Sequence, residues 1–438
     1  MNTQTGMKII VVLMCVAILQ TCKRTPHEPE EKNVQLSSED VAVTETYLRM
    51  RILPDVQHDA FRLTRNGATI LTSHYTGADT LLLDEQLLPK HTYKYKVYAL
   101  NNSVTTDSSA LLTITTMDTT SHNFTFEIDT LGDGNSSVLY DVAIINDTLA
   151  YAVGEIYLKD SVGNFEIEPY NIVKWNGREW KLEKVYWHAG GVQGTAPRRA
   201  IFAFSPDDIW IEGPAHWNGI EWIEYNFTGF TDGRINKIWG TSSSNLYMVG
   251  DNGTIVHFNG STWTKIESGT TIHIKDIWGS KNQKTNKFKI IALASQGFEL
   301  PSGRKLFVVN NLDVSEVSNA GLPLNLHGCW FISGHGYYTT GGKLYYTHSL
   351  NNQQNWQNIP FGITNYYLES IRGNEINDIS IVGDFGEFLH FNGTTWKSYR
   401  VQTTLNYGVY YSVTVRGNLA IAVGENVARG IIALGRRN

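Results

Sequence analysis

The sequence predicts an all-β protein: a seven-stranded β-sandwich followed by a seven-bladed β-propeller. Three observations carry this. A peptide of the form Asn-Gly-x-x-Trp returns at near-constant spacing through the C-terminal two-thirds of the chain, the mark of a repeat architecture. Ahead of it, Val34 to Met117 runs in short alternating stretches broken by turn residues, as half-buried strands do. The composition agrees: of 438 residues 12% are aromatic, 39 are Gly and only 18% are charged, a balance suited to many strands and tight turns. A net charge of −6 excludes a nucleic-acid binder of the usual basic kind. Three cysteines exclude a disulfide framework.

The first residues read as an address. Ile9 to Leu19 is an apolar run behind Lys8, too short to span a bilayer, which needs about 20 residues, and the right length for a signal-peptide core. It ends in Leu19-Gln20-Thr21-Cys22, which resembles the lipobox of bacterial lipoproteins. Thr21 stands where that family has a small residue. The resemblance implies a signal peptide over 1–21, a lipid anchor on Cys22 and a location in the cell envelope, as an outer-membrane lipoprotein of a Gram-negative bacterium. Residues 22–33 are polar and Pro-containing, as expected of a tether. Without Cys15 and with Cys22 lipidated, Cys329 is the one thiol left, and its apolar surroundings, Leu326 to Trp330, mark it as a core residue.

Residues 34–118 are the expected sandwich. Thr46 to Ile52 alternates with period 2. Phe61 to Arg65 meets Asn66-Gly67, the strongest two-residue hairpin signal, and Ala68 to Thr72 returns. Tyr93 to Leu100 and Leu111 to Met117 follow. The run Leu87-x-Pro89-x-x-x-Tyr93-x-Tyr95-x-Val97-x-Ala99 resembles the fibronectin type III family at the entry to its sixth strand. That resemblance implies a tyrosine corner at Tyr93 and a role in spacing or adhesion. His91 and the lack of a Trp in the second strand depart from the pattern, with Met50 expected to fill the core.

From 123 to 438 the chain reads as repeats. The motif asparagines are Asn176, Asn218, Asn259 and Asn392, with steps of 42, 41 and 133. The last step leaves room for two degenerate copies. Val-Gly-Asp/Glu recurs at Val249, Val382 and Val423, and Ile-Trp-Gly or a weaker form opens units at Ile238, Ile277, Ile371 and Val415. Each unit therefore reads as four antiparallel strands, the last two joined by an Asn-Gly hairpin expected to be a type I′ turn. Units open near Val138, Ala200, Ile235, Ile274, Leu326, Leu368 and Val413. The seventh holds only three strands, and Asn123 to Ile128 is expected to supply the fourth and close the ring, since an unclosed ring leaves two open edges. The repeat resembles exported bacterial propellers of the Ile-Trp-Gly, Val-Gly-Asp-x-Gly-Thr-Ile and Asn-Gly-x-x-Trp kind and, more distantly, the Asp-box propellers of sialidases. Neither resemblance implies one activity.

The chemistry is sparse. The Trp of each motif is expected to wedge blades together. His216, His257 and His390 occupy equal positions on separate units and cannot share a metal. Asp129 to Asn135 fits a calcium loop poorly, with Leu131 at a ligand position and no Glu at the twelfth, and is expected to be a loop between blades. Arg372 and Arg416 are expected at the end of the first strand, away from a sialidase-like active face. No metal, cofactor or catalytic residue is assigned. The candidate binding face is formed by the turns between second and third strands, at Asp251, Asn252, Asp384, Phe385, Glu425 and Asn426, read as exposed. The expected function is that of a lipid-anchored, monomeric binding or scaffolding protein with an envelope protein or glycan as its ligand and no nucleic acid. The alternative is a carbohydrate-active enzyme using the channel mouth.

Overall fold

The computed structural model describes residues 32–75, 77, 79–296, 303–322, 325–350, 356–359 and 362–438. The signal peptide, Cys22 and nearly all of the tether lie outside these residues. The described chain is almost wholly β, with one four-residue helix, Arg400–Thr403.

The chain divides into two compact units. The first comprises the described parts of Met1–Leu36, Met50–Thr80 and Tyr95–Leu111; the second comprises Ser37–Arg49, Leu81–Lys94 and Leu112–Asn438. In the first, Ala60–Arg65 pairs antiparallel with Ala68–His74 on one side and with the strand Thr92–Asn101 on the other. Arg65 opposes Ala68 across a two-residue turn in which Asn66 (φ 52°) and Gly67 (φ 86°) are both left-handed, as a type I′ turn requires. Met50, Phe61, Leu63, Tyr95, Val97 and Ala99 are buried at alternate positions, which is the period-2 pattern meeting a core. Eight strands rather than seven lie between Val34 and Thr115.

In the second unit, Tyr93 takes the backbone N–H of Leu88 on its hydroxyl at 2.8 Å. From Phe124 onward the strands form seven four-stranded antiparallel sheets and one two-stranded hairpin, Trp187–Ala189 with Val192–Gly194, among the described residues. The first strands of these sheets are Val138–Asn146, Ile201–Ser205, Ile235–Ser242, Ile274–Lys281, Leu326–Phe331, Leu368–Glu375 and Val409–Arg416. The last begins four residues earlier than the sequence pattern suggests. First strands touch one another in cyclic order, and the seventh returns to the first. Each sheet packs on its neighbour through apolar side chains. Ala200 and Trp210 of the second sheet, for example, share a buried cluster with Ile235, Ile238, Leu246, Met248 and Phe258 of the third.

The seventh sheet is completed by a strand that precedes the first sheet in sequence. Strand Phe124–Leu131 pairs along Arg429–Arg437, with Phe124 opposite Arg437 and Leu131 opposite Gly430. Asp129 lies inside this strand, opposite Ile432. Of the segment expected to be a loop between blades, residues 129–131 are therefore strand, because they cover a sheet edge that would otherwise be open, while 132–137 form the expected connection to strand Val138–Asn146.

The Asn-Gly motifs are not type I′ turns. Phe258 opposes Trp263 across a four-residue loop; only Gly260 is left-handed, at φ 95°, and Asn259 is not. Instead the Asn259 carboxamide oxygen accepts the N–H groups of Ser261 and Thr262 at 3.0 and 2.9 Å. Asn176, Asn218 and Asn392 do the same. Loop length decides the turn: four residues leave the Asn side chain free to cap the backbone, an Asx-turn. The Trp of each motif packs on the aromatic residue before the Asn, as Trp263 does on Phe258 with ring centroids 4.5 Å apart.

Candidate functional site

Six of the seven sheets share one irregularity. The pairing of first and second strands slips by one residue near the start of the first strand, at Tyr140, Asn236, Lys275, His327, Glu369 and Tyr411. A β-bulge leaves its extra residue unpaired and re-aims the side chain. The residue before each is buried, whereas all six bulged residues are partly exposed. With first strands in cyclic contact, these side chains make a polar rim around one end of the second unit. In the second sheet Arg199 completes the rim just ahead of its first strand.

The rim is internally bonded. Tyr140 and Tyr157 each donate to Glu155, at 2.8 and 3.0 Å, and Tyr411 donates to Glu425 at 3.0 Å. The Tyr140 and Tyr411 rings stand 6.2 Å apart. His327 Nδ1 meets the Glu369 carboxylate. The Arg199 guanidinium lies over the Tyr140 ring, 4.8 Å from its centroid. Burial, and then the Glu155 carboxylate, push the Tyr140 and Tyr157 phenols up to about 12. Burial and Glu425 push Tyr411 up as well. These phenols stay protonated and serve as donors.

Behind the rim the first strands enclose a cavity of about 250 Å³, walled by residues that include Val142, Phe202, Trp239, Trp278 and Val413. Two ion pairs cross between sheets there. Lys237 bonds Asp141 at 2.6 Å, and Ser412 donates to the same oxygen at 2.7 Å. Arg372 grips Asp276 with both terminal nitrogens, at 2.9 and 2.7 Å. Asp276 also accepts the backbone N–H groups of Ile277 and Cys329, each at 2.9 Å. Arg372 therefore does not lie towards the other face as the sequence suggested. It is buried, because an Asp two sheets earlier points at the same axis. Arg416 lines the cavity too. Cys329 is fully buried, and burial pushes its thiol well up, away from reactivity.

The six candidate residues sit at three turns between second and third strands. Asp251 opens a turn, as expected, with the Thr254 N–H on its carbonyl, but it is only partly exposed. It accepts from the Arg234 N–H at 3.3 Å and from Asn236 Nδ2 at 3.1 Å, and it pairs with His273 at 3.3 Å. Asn252 is left-handed at φ 54° and donates from Nδ2 to the Asp232 carbonyl. Asp384 is half-buried, and burial followed by the Glu369 charge raises its carboxyl. Phe385 is 38% exposed and packs beside Tyr366. Glu425 is part of the rim, and Asn426 follows it at the end of strand Leu419–Asn426. The structure thus brings Asp251, Asp384 and Glu425 to the same end as the bulged residues.

Sequence reasoning passed over Tyr140, Arg199, His327, Glu369 and Tyr411. A signal existed. Ile235…Ile238, Ile274…Ile277, Leu368…Ile371 and Tyr410…Val413 repeat an apolar-x-x-apolar spacing, which breaks period 2 and marks a bulge. His216, His257 and His390 are structural. Each ring bonds the Asp or Asn that opens or precedes its sheet's second strand, at 2.7 to 2.9 Å from Asp208, Asn245 and Asp378. Among the described residues no three His, Cys, Asp or Glu side chains are grouped to hold a metal.

No protein-family model and no curated protein matches the chain. Solved structures do. YCF48 bound to D1 peptide is 14% identical, over 72% of this chain and 97% of that one, with a TM-score of 0.52. A catalytically inactive virginiamycin B lyase from Staphylococcus aureus with quinupristin is 11% identical, over 72% of this chain and 100% of that one, with a TM-score of 0.52. YCF48 from Cyanidioschyzon merolae is 14% identical over 70% and 98%, with a TM-score of 0.49. These neighbours are β-propeller proteins. At such identities the likeness is one of fold: the chain is all-β, with a β-propeller-like arrangement of four-stranded sheets.

Proposed function

We propose that the chain is a lipid-anchored binding or scaffolding protein of the cell envelope that takes a protein ligand on the bulged rim. In this reading residues 1–21 are a signal peptide, Cys22 carries the lipid and 22–33 are a tether. A fibronectin type III-like sandwich over 34–118 then presents a seven-bladed propeller over 123–438, closed by the strand at 123–128, with the rim as its functional face. The observation that carries the reading is the bulge repeated at one place in six sheets. Bulges cluster beside functional sites because they turn side chains outward without breaking the sheet. The YCF48 neighbour holds a peptide, which supports a protein ligand over a glycan.

The test is photo-crosslinking in envelope extracts. A photoreactive phenylalanine in place of Phe385, beside the rim, is expected to capture a defined partner. The same residue in place of Ile220, 85% exposed in an Asn-Gly loop, is expected to capture none. Equal capture from both positions would reject the rim. For the anchor, Cys22→Ser should move the protein from membrane to soluble fractions.

A second reading, the enzyme, is favoured by one feature: His327 is hydrogen-bonded to Glu369 at the same end as Glu155 and Glu425, an arrangement able to move protons. Turnover of a glycan that Glu369→Gln abolishes without loss of folding would select it.

A further inference from the structure

Glu155, Glu369, Glu425 and Asp251 hold hydrogen-bond donors, whereas three of the rim's cations hold no carboxylate. Glu155 takes two phenol hydroxyls, Glu425 one, and Glu369 the His327 imidazole. Asp251 is held by the Arg234 N–H, Asn236 and His273, and Asp232 pairs with Lys265. Against these, Arg199, Arg234 and Lys275 form no ion pair among the described residues. Arg199 Nε is shut off from solvent with no hydrogen-bond partner.

The chain segments that carry these three residues are tied together. Glu212 accepts the N–H groups of Arg199 and Ile235 on its two carboxylate oxygens, which ties the starts of the second and third first strands together. Asn236 then donates to the Ile274 carbonyl at 3.0 Å, which ties the third to the fourth beside Lys275. Arg199 and Arg234 both act electrostatically on the Tyr140 phenol. The nearby carboxylates Glu155, Glu212 and Asp251 are taken up by phenol, backbone, amide and imidazole groups rather than by these cations. The result is a group of three cations without ion-pair partners of their own, a position able to attract and orient an anion.

We propose that the arc of Arg199, Arg234 and Lys275 is an anion subsite that takes carboxylate groups of an acidic peptide ligand. This rests on the rim as the binding end and adds the chemistry of what binds there. Arginine suits the task because its planar fork meets a carboxylate through two parallel hydrogen bonds. A peptide fits better than an acidic sugar. Sugar recognition uses open aromatic faces, whereas the Tyr140 ring of this arc carries Arg199 over it and stands beside Tyr411.

The experiment is fluorescence anisotropy on the purified chain with a labelled hexapeptide carrying three Glu, and with its counterpart carrying three Gln. The Glu peptide is expected to bind at least tenfold more tightly, with affinity falling as salt rises. Arg199→Gln with Arg234→Gln and Lys275→Gln should abolish that preference. Arg199 is partly buried and its loss could disturb folding. Arg234→Gln with Lys275→Gln, which leaves Arg199 in place, should therefore remove most of the preference by itself. Equal binding of the two peptides, or a preference that survives these substitutions, overturns the anion subsite while leaving a protein-binding rim intact. An oligosaccharide of uronic acids that displaces the Glu peptide at lower concentration than the peptide itself overturns the peptide assignment. Binding of neither peptide, together with no capture from Phe385, overturns the rim as well.

Discussion

Breaking the Arg372–Asp276 pair should be among the most damaging single changes to the second unit. The two side chains are 8% and 5% exposed. They join the fourth and sixth sheets across the cavity, and Asp276 also holds the N–H of Cys329 in the fifth. In Arg372→Met the aliphatic stem is kept and the charge lost. Asp276 then retains two backbone donors but no counter-ion. An uncompensated buried charge of this kind costs about 3–5 kcal/mol. At roughly 2 °C per kcal/mol for a large domain, the melting temperature should fall by about 6–10 °C. Asp276→Asn in the Arg372→Met background removes the stranded charge but keeps an acceptor for only one of the two N–H groups, which reach different carboxylate oxygens, so it should recover part of the loss. Asp276→Asn alone, which strands the arginine, should be nearly as harmful as Arg372→Met. Calorimetry and urea denaturation of the four proteins complete the double-mutant cycle. A loss below about 1 kcal/mol for Arg372→Met, or additivity of the two changes, would mean that water screens the pair and that the cavity is not braced by it.

The Asn-Gly loops predict a split between two neighbouring residues. Asn259→Ala loses two backbone caps and should cost about 1–2 kcal/mol. Gly260→Ala should cost more, because φ is 95° and an added Cβ would stand 2.7 Å from the Ser244 Cβ; urea midpoints that reverse this order would reject the Asx-turn account. The join between strands Phe124–Leu131 and Arg429–Arg437 should also be acid-sensitive. His122, ahead of strand Phe124–Leu131, meets His390 at 2.8 Å, and Asp378 holds both His390 and Arg437. Burial, then His390 and Lys397, lower the His122 pKa from 6.5 to about 4. A histidine with a depressed folded pKa contributes stability that is present above 6.5 and is lost as pH falls through 4. Melting temperature should therefore decline between those values, and His122→Gln should flatten the decline. Asp378, held near 2, titrates below that window. An unchanged pH profile in His122→Gln would place the sensitivity elsewhere.

Much of the architecture is local and therefore visible in the sequence. A four-stranded sheet closes over about 40 consecutive residues, so its turns and alternation recur as a period, and Asn176, Asn218, Asn259 and Asn392 mark it. Second-strand ends such as Asp251, Asp384 and Glu425 are legible for the same reason. The turn type at Asn259 was not, because Asn-Gly serves both a two-residue loop, as at Asn66, and a four-residue loop; only the strand pairing on either side distinguishes them. The rim was legible only in part: a spacing such as Leu368…Ile371 marks a break in the alternation, but a bulge is a relation between two strands, and which side chain it re-aims depends on their pairing. The Arg372–Asp276 and Lys237–Asp141 pairs escaped for a stronger reason. Each joins residues 96 apart, which meet only after several sheets have turned about a common axis. The repeat by itself determined what each sheet is made of. Which side chains face one another across the centre, and so where charge collects at the rim, was decided only by the tertiary structure, because that depends on how the sheets are angled to each other and not on any stretch of chain within one.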